Sequence, residues 1–215
     1  MSLVFDVFII VFLFFLFAFS HSVLASFDVK KRISEKVGKK IAFYRLFYNI
    51  SSILIFIAIY YLLPKPRFVI YDLQFPYDLF IFGVQIFGII GFFWTGSYIN
   101  LGEFIGLSQA KRYFKGNYEI SSLDENTNLV IAGPFKISRH PIYFFSLIIL
   151  GFRPVMDLFY LVFFICIFAY FYLGSVYEEK NREKKFGESY SIYKNKVPRL
   201  IPNPILLFKL ISSNK

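Results

Sequence analysis

The segment Arg139-His140-Pro141, with Tyr143 one helical turn further on, holds the residue types best suited to chemistry in this 215-residue chain. A histidine can hold a proton near neutral pH, an arginine can bind a carboxylate, and a tyrosine ring can stack on a base or face a cation. A helix that starts at Pro141 places His140 and Tyr143 on one face. Anchoring a helix end at the lipid headgroups would also explain these residues, so their spacing alone leaves both interpretations open.

Two other groups carry possible chemistry. Glu178-Glu179 follows a long apolar run and could bind a cation, although carboxylates are ordinary where a helix leaves a membrane. His21 begins the segment HSVLAS at the end of another apolar run. His21 and His140 are the two histidines of the chain, and two histidines at one membrane face would permit a haem site. A dinucleotide fingerprint, a P-loop, zinc-ligand spacing and a nucleophile elbow are all missing from the sequence.

The composition indicates that these groups are held by membrane helices. The chain is 57% hydrophobic with 31 Phe, only 18% of its residues are charged, and residues 7–26 carry no charge. Such runs predict an all-α integral membrane protein with about five transmembrane helices. The third helix contains four glycines that would allow another helix to approach closely. The predicted helices span residues 3–26, 41–63, 77–99, 141–152 and 157–177.

The last two helices are predicted to form a tilted hairpin. The apolar stretch after Pro141 is only about a dozen residues, short of the ~20 needed to span a bilayer, and Arg153-Pro154 suits a turn. A hairpin brings its two ends together, so Arg139-His140 should lie close to Glu178-Glu179. Residues 178–215 are expected to form a cytoplasmic tail that begins as a helix. The whole of residues 1–215 is expected to be one domain without a Rossmann fold.

The net charge of +10 is explained by topology. Basic residues concentrate in residues 30–45, 111–139 and 180–215, which five helices place on one side of the membrane. The positive-inside rule makes that side cytoplasmic, with the N-terminus outside and the C-terminus inside. We therefore expect a protein of a prokaryotic cytoplasmic membrane that contacts the lipid bilayer and no nucleic acid. Cys166 is the only cysteine, so disulfides play no part.

The order of several segments resembles a known family. GPFKISRHPIY, then EE, then FGESYSIYKNKVPRLIP is similar to the integral-membrane methyltransferases, typified by isoprenylcysteine carboxyl methyltransferase and the phospholipid N-methyltransferases. HSVLAS, VKKRI, YRLFYN and FIGLSQ resemble the subgroup of methanethiol S-methyltransferases and NnrU proteins. The resemblance implies a small helical membrane enzyme. Its cofactor, S-adenosylmethionine, would enter from the cytoplasm and lie between the last helices and the tail.

The resemblance also implies roles for particular residues. Glu179, with Glu178 beside it, matches the carboxylate that contacts the cofactor, while Arg139 or His140 would meet the cofactor's own carboxylate and have the catalytic roles. The prenylcysteine enzymes have an arginine one turn before the carboxylate, whereas residues 174–177 here contain none, so an acceptor with a free carboxylate is not expected. A small thiol is the favoured acceptor, and a lipid amine the next. The segment implied to bind the cofactor comprises Phe135, His140, Pro141, Ile142 and Tyr143.

Two alternatives belong to other classes. The NnrU-like subgroup also resembles haem-dependent zeta-carotene isomerases, in which case His21 and His140 would be axial ligands of haem. A non-catalytic accessory protein of respiratory complexes is the third possibility. The Glu pair and the FGESYSIYKNKVPRLIP tail favour methyl transfer.

Overall fold

The computed structural model describes residues 2–66, 68–120, 123 and 128–203, and the fold in these ranges is almost entirely helical. Two short strands, β1 (Val69–Asp72) and β2 (Val155–Asp157), pair antiparallel. Short 3-10 segments lie at Gly38–Phe43 and Gly133–Lys136. The helices are α1 (Leu3–Ala25), α2 (Phe27–Val37), α3 (Tyr44–Leu62), α4 (Tyr77–Gly96), α5 (Leu101–Ile105), α6 (Leu107–Phe114), α7 (Pro141–Gly151), α8 (Leu158–Phe186) and α9 (Glu188–Lys196).

Several of these helices are suited to lipid. Four helical segments in the described ranges are long and apolar enough to cross a membrane: α1, the stretch from α2 through α3, α4 and α8. Their large apolar side chains remain exposed, as with Val4 and Phe8 in α1 and Phe80 and Phe93 in α4. In water, so many exposed apolar side chains would need a partner protein to cover them, whereas the hydrocarbon of a bilayer solvates them directly. The predicted all-α integral membrane fold is confirmed.

The chain divides into two compact units, and the prediction of one domain stays a prediction. The first unit contains Met1–Lys65 and Asn100–Asn128, and the second contains Pro66–Ile99 and Leu129–Lys215. In the first unit α1 packs on α3, and α2 with its 3-10 extension links them. A small core of Ile41, Ala42 and Tyr118 lies at that link.

In the second unit, α4 and α7 pack through glycine. An added Cβ would lie 2.1 Å from the Phe145 ring at Gly91 and 2.9 Å from Ile148 at Gly88. The same addition at Gly83 or Gly96 would meet nothing within 4 Å. Two of the four glycines therefore allow close approach of α7, as predicted for helices in lipid.

The connection from α7 to α8 differs from the expected bare turn, since it includes β2. The Asp157 side chain caps α8 by accepting a 2.7 Å hydrogen bond from the Tyr160 amide. Helix α8 continues past the predicted end at residue 177, because the following Glu, Lys and Arg residues favour helix and Gly187, at φ 56°, ends it. Glu178 and Glu179 thus lie on α8 and not at the start of a separate tail. The predicted tail beyond residue 203 lies outside the described residues.

Candidate functional site

The Arg-His-Pro segment is held in place by the C-terminal part of the chain. The Arg139 amide donates to the Pro198 carbonyl at 2.9 Å, and the His140 amide donates to the Arg199 carbonyl at 3.0 Å. The Ser138 hydroxyl adds a bond to the Leu200 carbonyl at 2.9 Å. Pro141 then begins α7, where its missing N–H costs no helical hydrogen bond. The quoted segments GPFKISRHPIY and VPRLIP therefore meet along their backbones.

Arg139 and Glu179 form a buried, two-pronged ion pair. Arg139 Nε lies 2.8 Å from Glu179 Oε1, and Nη2 lies 3.1 Å from Oε2. Arg139 Nη1 donates to the carbonyls of Lys194 and Val197 at 2.7 and 2.6 Å. Arg139 is only 6% exposed and Glu179 only 2%. This arrangement satisfies most donors of the guanidinium and joins the start of α7 to α8 and to the end of α9.

Arg199 is a second cation on the same carboxylate, which the sequence analysis missed. Its Nε lies 3.2 Å from Glu179 Oε1, and its guanidinium carbon lies 5.7 Å from the centre of the Tyr172 ring. The Arg199 side chain is 28% exposed, unlike that of Arg139. Its position within the segment VPRLIP could have marked Arg199 as a candidate. Its charge partner Glu179 lies 20 residues earlier, however, and only the fold shows that the two side chains meet.

Glu178 is the more accessible carboxylate. Its side chain is 42% exposed, and it accepts a hydrogen bond from the Tyr143 hydroxyl. His140 Nδ1 lies 3.5 Å from Glu178 Oε2, while Nε2 lies 3.3 Å from Glu179 Oε1 without the alignment of a hydrogen bond. The structure thus brings together Arg139, His140, Tyr143 and both glutamates, in the way that the hairpin argument predicts.

Three rings stack beside Glu178. The His140 and Tyr143 ring centroids are 5.4 Å apart, and those of Tyr143 and Phe171 are 4.5 Å apart, with both pairs within 8° of parallel. Phe171 was not among the predicted residues. Its position on α8, about two turns before Glu178, gave no signal without knowledge of how α7 and α8 face each other.

The other predicted residues are buried or partly buried. Phe135 and Pro141 are buried and Ile142 is partly buried. The Phe135 carbonyl accepts a 2.6 Å hydrogen bond from the Tyr193 hydroxyl. Tyr190 is completely buried beside Tyr193, and its hydroxyl has no hydrogen-bond partner within the described ranges. Burial, with the negative charge of Glu179 adding to it, raises the pKa of Tyr190 to about 12.

His21 lies in the other unit, in contacts of its own. Its Nε2 is 2.6 Å from the Tyr48 hydroxyl and its Nδ1 is 3.0 Å from the Ser52 hydroxyl. The segments HSVLAS and YRLFYN therefore meet where α1 packs on α3. A role as haem ligand would require one of these contacts to break, and the haem alternative stays a prediction. Among the described residues, no cluster of three or more His, Cys, Asp or Glu side chains could hold a metal ion.

The segment YRLFYN also contacts FIGLSQ within that unit. The Asn49 side-chain amide donates to the carbonyls of Phe104 and Ile105 at 3.1 and 3.0 Å. At Gly106, φ is 104° and an added Cβ would lie 2.6 Å from the Leu46 amide nitrogen, so this turn requires glycine. Three of the four upstream segments of the resemblance, HSVLAS, YRLFYN and FIGLSQ, are therefore structural neighbours.

Two curated proteins of Bradyrhizobium diazoefficiens match the chain. Methanethiol S-methyltransferase 1 is 32% identical over 191 residues, which are 87% of this chain and 64% of that protein. Methanethiol S-methyltransferase 2 is 30% identical over 128 residues, which are 56% of this chain and 48% of that protein. The chain is similar to the methanethiol S-methyltransferases.

The predicted resemblance to the membrane methyltransferases is thereby confirmed, whereas its NnrU part stays a prediction. The chain spans less than two thirds of the length of each of these methanethiol S-methyltransferases. No protein-family model matches the chain, and no solved structure matches it significantly.

Proposed function

We propose that the chain transfers a methyl group from S-adenosylmethionine to a small thiol at the membrane surface. The observation that carries the proposal is the accessible Glu178 carboxylate, held by Tyr143 and His140 beside a stack of aromatic rings. The names of the two relatives support a thiol acceptor. The predicted cytoplasmic face and the predicted topology remain part of this proposal.

The residues at the hairpin mouth fit the cofactor by the chemistry of their donors. Glu178 can pair with an ammonium or accept hydrogen bonds from ribose hydroxyls. The rings of His140, Tyr143 and Phe171 offer faces for stacking on adenine and for cation–π contact. His140 Nε2 is a buried ring nitrogen without an aligned hydrogen bond in the described part of the chain. When bound, S-adenosylmethionine would supply an electrophilic methyl group on a sulfonium.

The resemblance assigned the cofactor contact to Glu179, but the contacts favour Glu178. Both oxygens of Glu179 are bound by Arg139, Arg199 lies against the first of them, and the side chain is 2% exposed. Arg139 is similarly occupied. We therefore assign Arg139 and Glu179 to positioning: they hold His140 and the start of α7 against α8. Arg199, which is more exposed, is the cation better placed to meet an anionic group of the ligand.

The nature of the acceptor follows from what surrounds the site. Residues 174–177 provide no cation for an acceptor carboxylate, and the exposed side chains Leu173 and Tyr177 are largely apolar. A small, uncharged thiol suits such surroundings better than an acidic substrate. Methyl displacement needs close, aligned reactants and exclusion of water, which rigid helices can provide.

The experiment is calorimetric titration of the detergent-purified chain with S-adenosylhomocysteine, followed by methyl-transfer assays. We expect the wild type to bind, Glu178→Gln to bind more weakly by about ten-fold or more, and the exposed control Glu188→Gln to match the wild type. Methanethiol should be methylated and phosphatidylethanolamine should not. A folded wild-type chain that fails to bind S-adenosylhomocysteine would overturn the proposal. Binding with methyl transfer only to the lipid amine would overturn the assignment of a thiol as the acceptor.

A further inference from the structure

The segment from Phe27 to Phe43 connects two apolar helices of the first unit. Helix α1 ends at Ala25 and α3 starts at Tyr44, and the two helices pack on each other. A connector between two neighbouring spans must lie where the bilayer meets water, because its charged side chains cannot remain in hydrocarbon. Phe27–Phe43 therefore lies at headgroup depth, whichever side of the membrane it occupies.

This connector is amphipathic and strongly basic. Val29, Ile33 and Val37 recur every four residues along α2 and share one face. Six basic residues stand against two acidic ones, Asp28 and Glu35, which leaves an excess of four positive charges in a segment of 17 residues. The basic residues are Lys30, Lys31, Arg32, Lys36, Lys39 and Lys40.

An apolar groove of about 250 Å³ opens on this connector. Lys40 is the one charged residue among the described residues that line it, and it lies beside exposed Val37. Phe43 and Phe47 continue the groove along the first turn of α3, and Phe47 is 70% exposed. The lining thus changes from an ammonium group to aromatic rings in the direction in which α3 enters the bilayer. The complete lining is Ile33, Val37, Lys40, Ile41, Phe43, Tyr44 and Phe47.

We propose that this groove binds one molecule of an anionic phospholipid. The phosphate lies at Lys40, with the exposed Lys36 and Lys39 next to it in sequence, and one acyl chain lies along Phe43 and Phe47. Charge complementarity selects an anionic headgroup over a zwitterionic one, since each lysine near an anionic surface contributes to attraction. A diffuse positive surface would attract only the headgroup, whereas this groove also holds an acyl chain at the depth where α3 enters the bilayer.

The test is native mass spectrometry of the full chain in detergent, with thermal unfolding in parallel. Dioleoylphosphatidylglycerol is compared with dioleoylphosphatidylcholine, which has the same acyl chains, and with sodium phosphate. We expect phosphatidylglycerol to bind and raise the unfolding temperature, and the other two to have little effect. The triple variant Lys36→Gln/Lys39→Gln/Lys40→Gln should bind it about ten-fold to 100-fold more weakly.

Matched variants separate the groove from general charge. Lys184→Gln/Lys196→Gln removes exposed lysines of the second unit that do not line the groove, and should bind as the wild type does. Val37→Trp fills the groove from an exposed position, keeps every charge, and should weaken binding by about ten-fold. All variants should unfold at the wild-type temperature without lipid. Equal binding of both lipids, an effect of phosphate alone, or unchanged binding by the triple or the Val37→Trp variant would overturn the proposal.

Discussion

The Arg139 guanidinium holds both carboxylate oxygens of Glu179, at 2.8 and 3.1 Å, across the hairpin formed by α7 and α8. The pair is buried, and the remaining donors of Arg139 are directed to backbone carbonyls at the end of α9. One side chain thus ties three helices together at the point where the candidate site opens.

Breaking this pair from one side should destabilise the protein. Glu179→Ala leaves the Arg139 charge buried without its partner, so we expect a loss of about 3–5 kcal/mol in the free energy of unfolding. Thermal and denaturant unfolding in detergent would measure it. The exposed Glu188→Ala is the control. A Glu179→Ala protein as stable as the wild type would show that the ion pair does not hold the hairpin.

Removal of the Tyr143 hydroxyl should weaken ligand binding without loss of the fold. Tyr143→Phe keeps the ring stack with Phe171 but frees Glu178 to rotate, so affinity for S-adenosylhomocysteine should fall by about ten-fold. Calorimetry measures the affinity. Tyr177→Phe alters a tyrosine that is 63% exposed and should change nothing. Equal losses in both variants would argue against a specific role for the Tyr143–Glu178 contact.

The close approach of α4 and α7 can be tested with two glycines of the same helix. Gly91→Ala places a methyl group against the Phe145 ring and should cost about 1–3 kcal/mol of stability. Gly83→Ala adds the same methyl group where nothing lies within 4 Å, and should be neutral or slightly stabilising. Unfolding of both variants in detergent provides the comparison. A tolerated Gly91→Ala would mean that α7 packs elsewhere.

Tyr190 and Tyr193 should respond oppositely to loss of the hydroxyl. Tyr193→Phe loses the bond to the Phe135 carbonyl and should be destabilised by about 1 kcal/mol. Tyr190→Phe removes a buried hydroxyl that has no hydrogen-bond partner among the described residues, and should be neutral or stabilising. Unfolding measurements at neutral pH compare the two. A destabilised Tyr190→Phe would reveal a partner for that hydroxyl.

Tyr190 should also make the protein sensitive to alkali. Its pKa is raised to about 12 in the fold, so the unfolded chain loses this proton first, near the ordinary pKa of about 10. The neutral side chain makes its full contribution to the free energy of unfolding below pH ~10, and this contribution is lost as the pH rises through about 12. Unfolding measurements across this pH range should show that Tyr190→Phe loses less stability than the wild type. Identical profiles would contradict the assignment.

Membrane character and the candidate residues could be predicted from the sequence, because both depend on local patterns. Long uncharged apolar runs are typical of helices that span a bilayer, so they predicted the all-α membrane fold. Pro141 likewise marks the start of α7 because a proline is best tolerated in the first helical turn. Arg139, His140, Tyr143 and Glu178-Glu179 were identifiable from residue type, and the short apolar run after Pro141 predicted a hairpin that brings them near one another.

The partners of those residues were decided only by the tertiary structure. Whether Glu178 or Glu179 faces outward depends on the rotation of α8 about its axis, and that is set by the packing of α7 and by the ion pairs of Glu179 with Arg139 and Arg199. Arg199 comes 20 residues after Glu179, and no local pattern encodes that pairing. Adjacent residues on a helix point about 100° apart. The sequence could therefore name two neighbouring carboxylates, while only the fold could bury one and leave the other accessible.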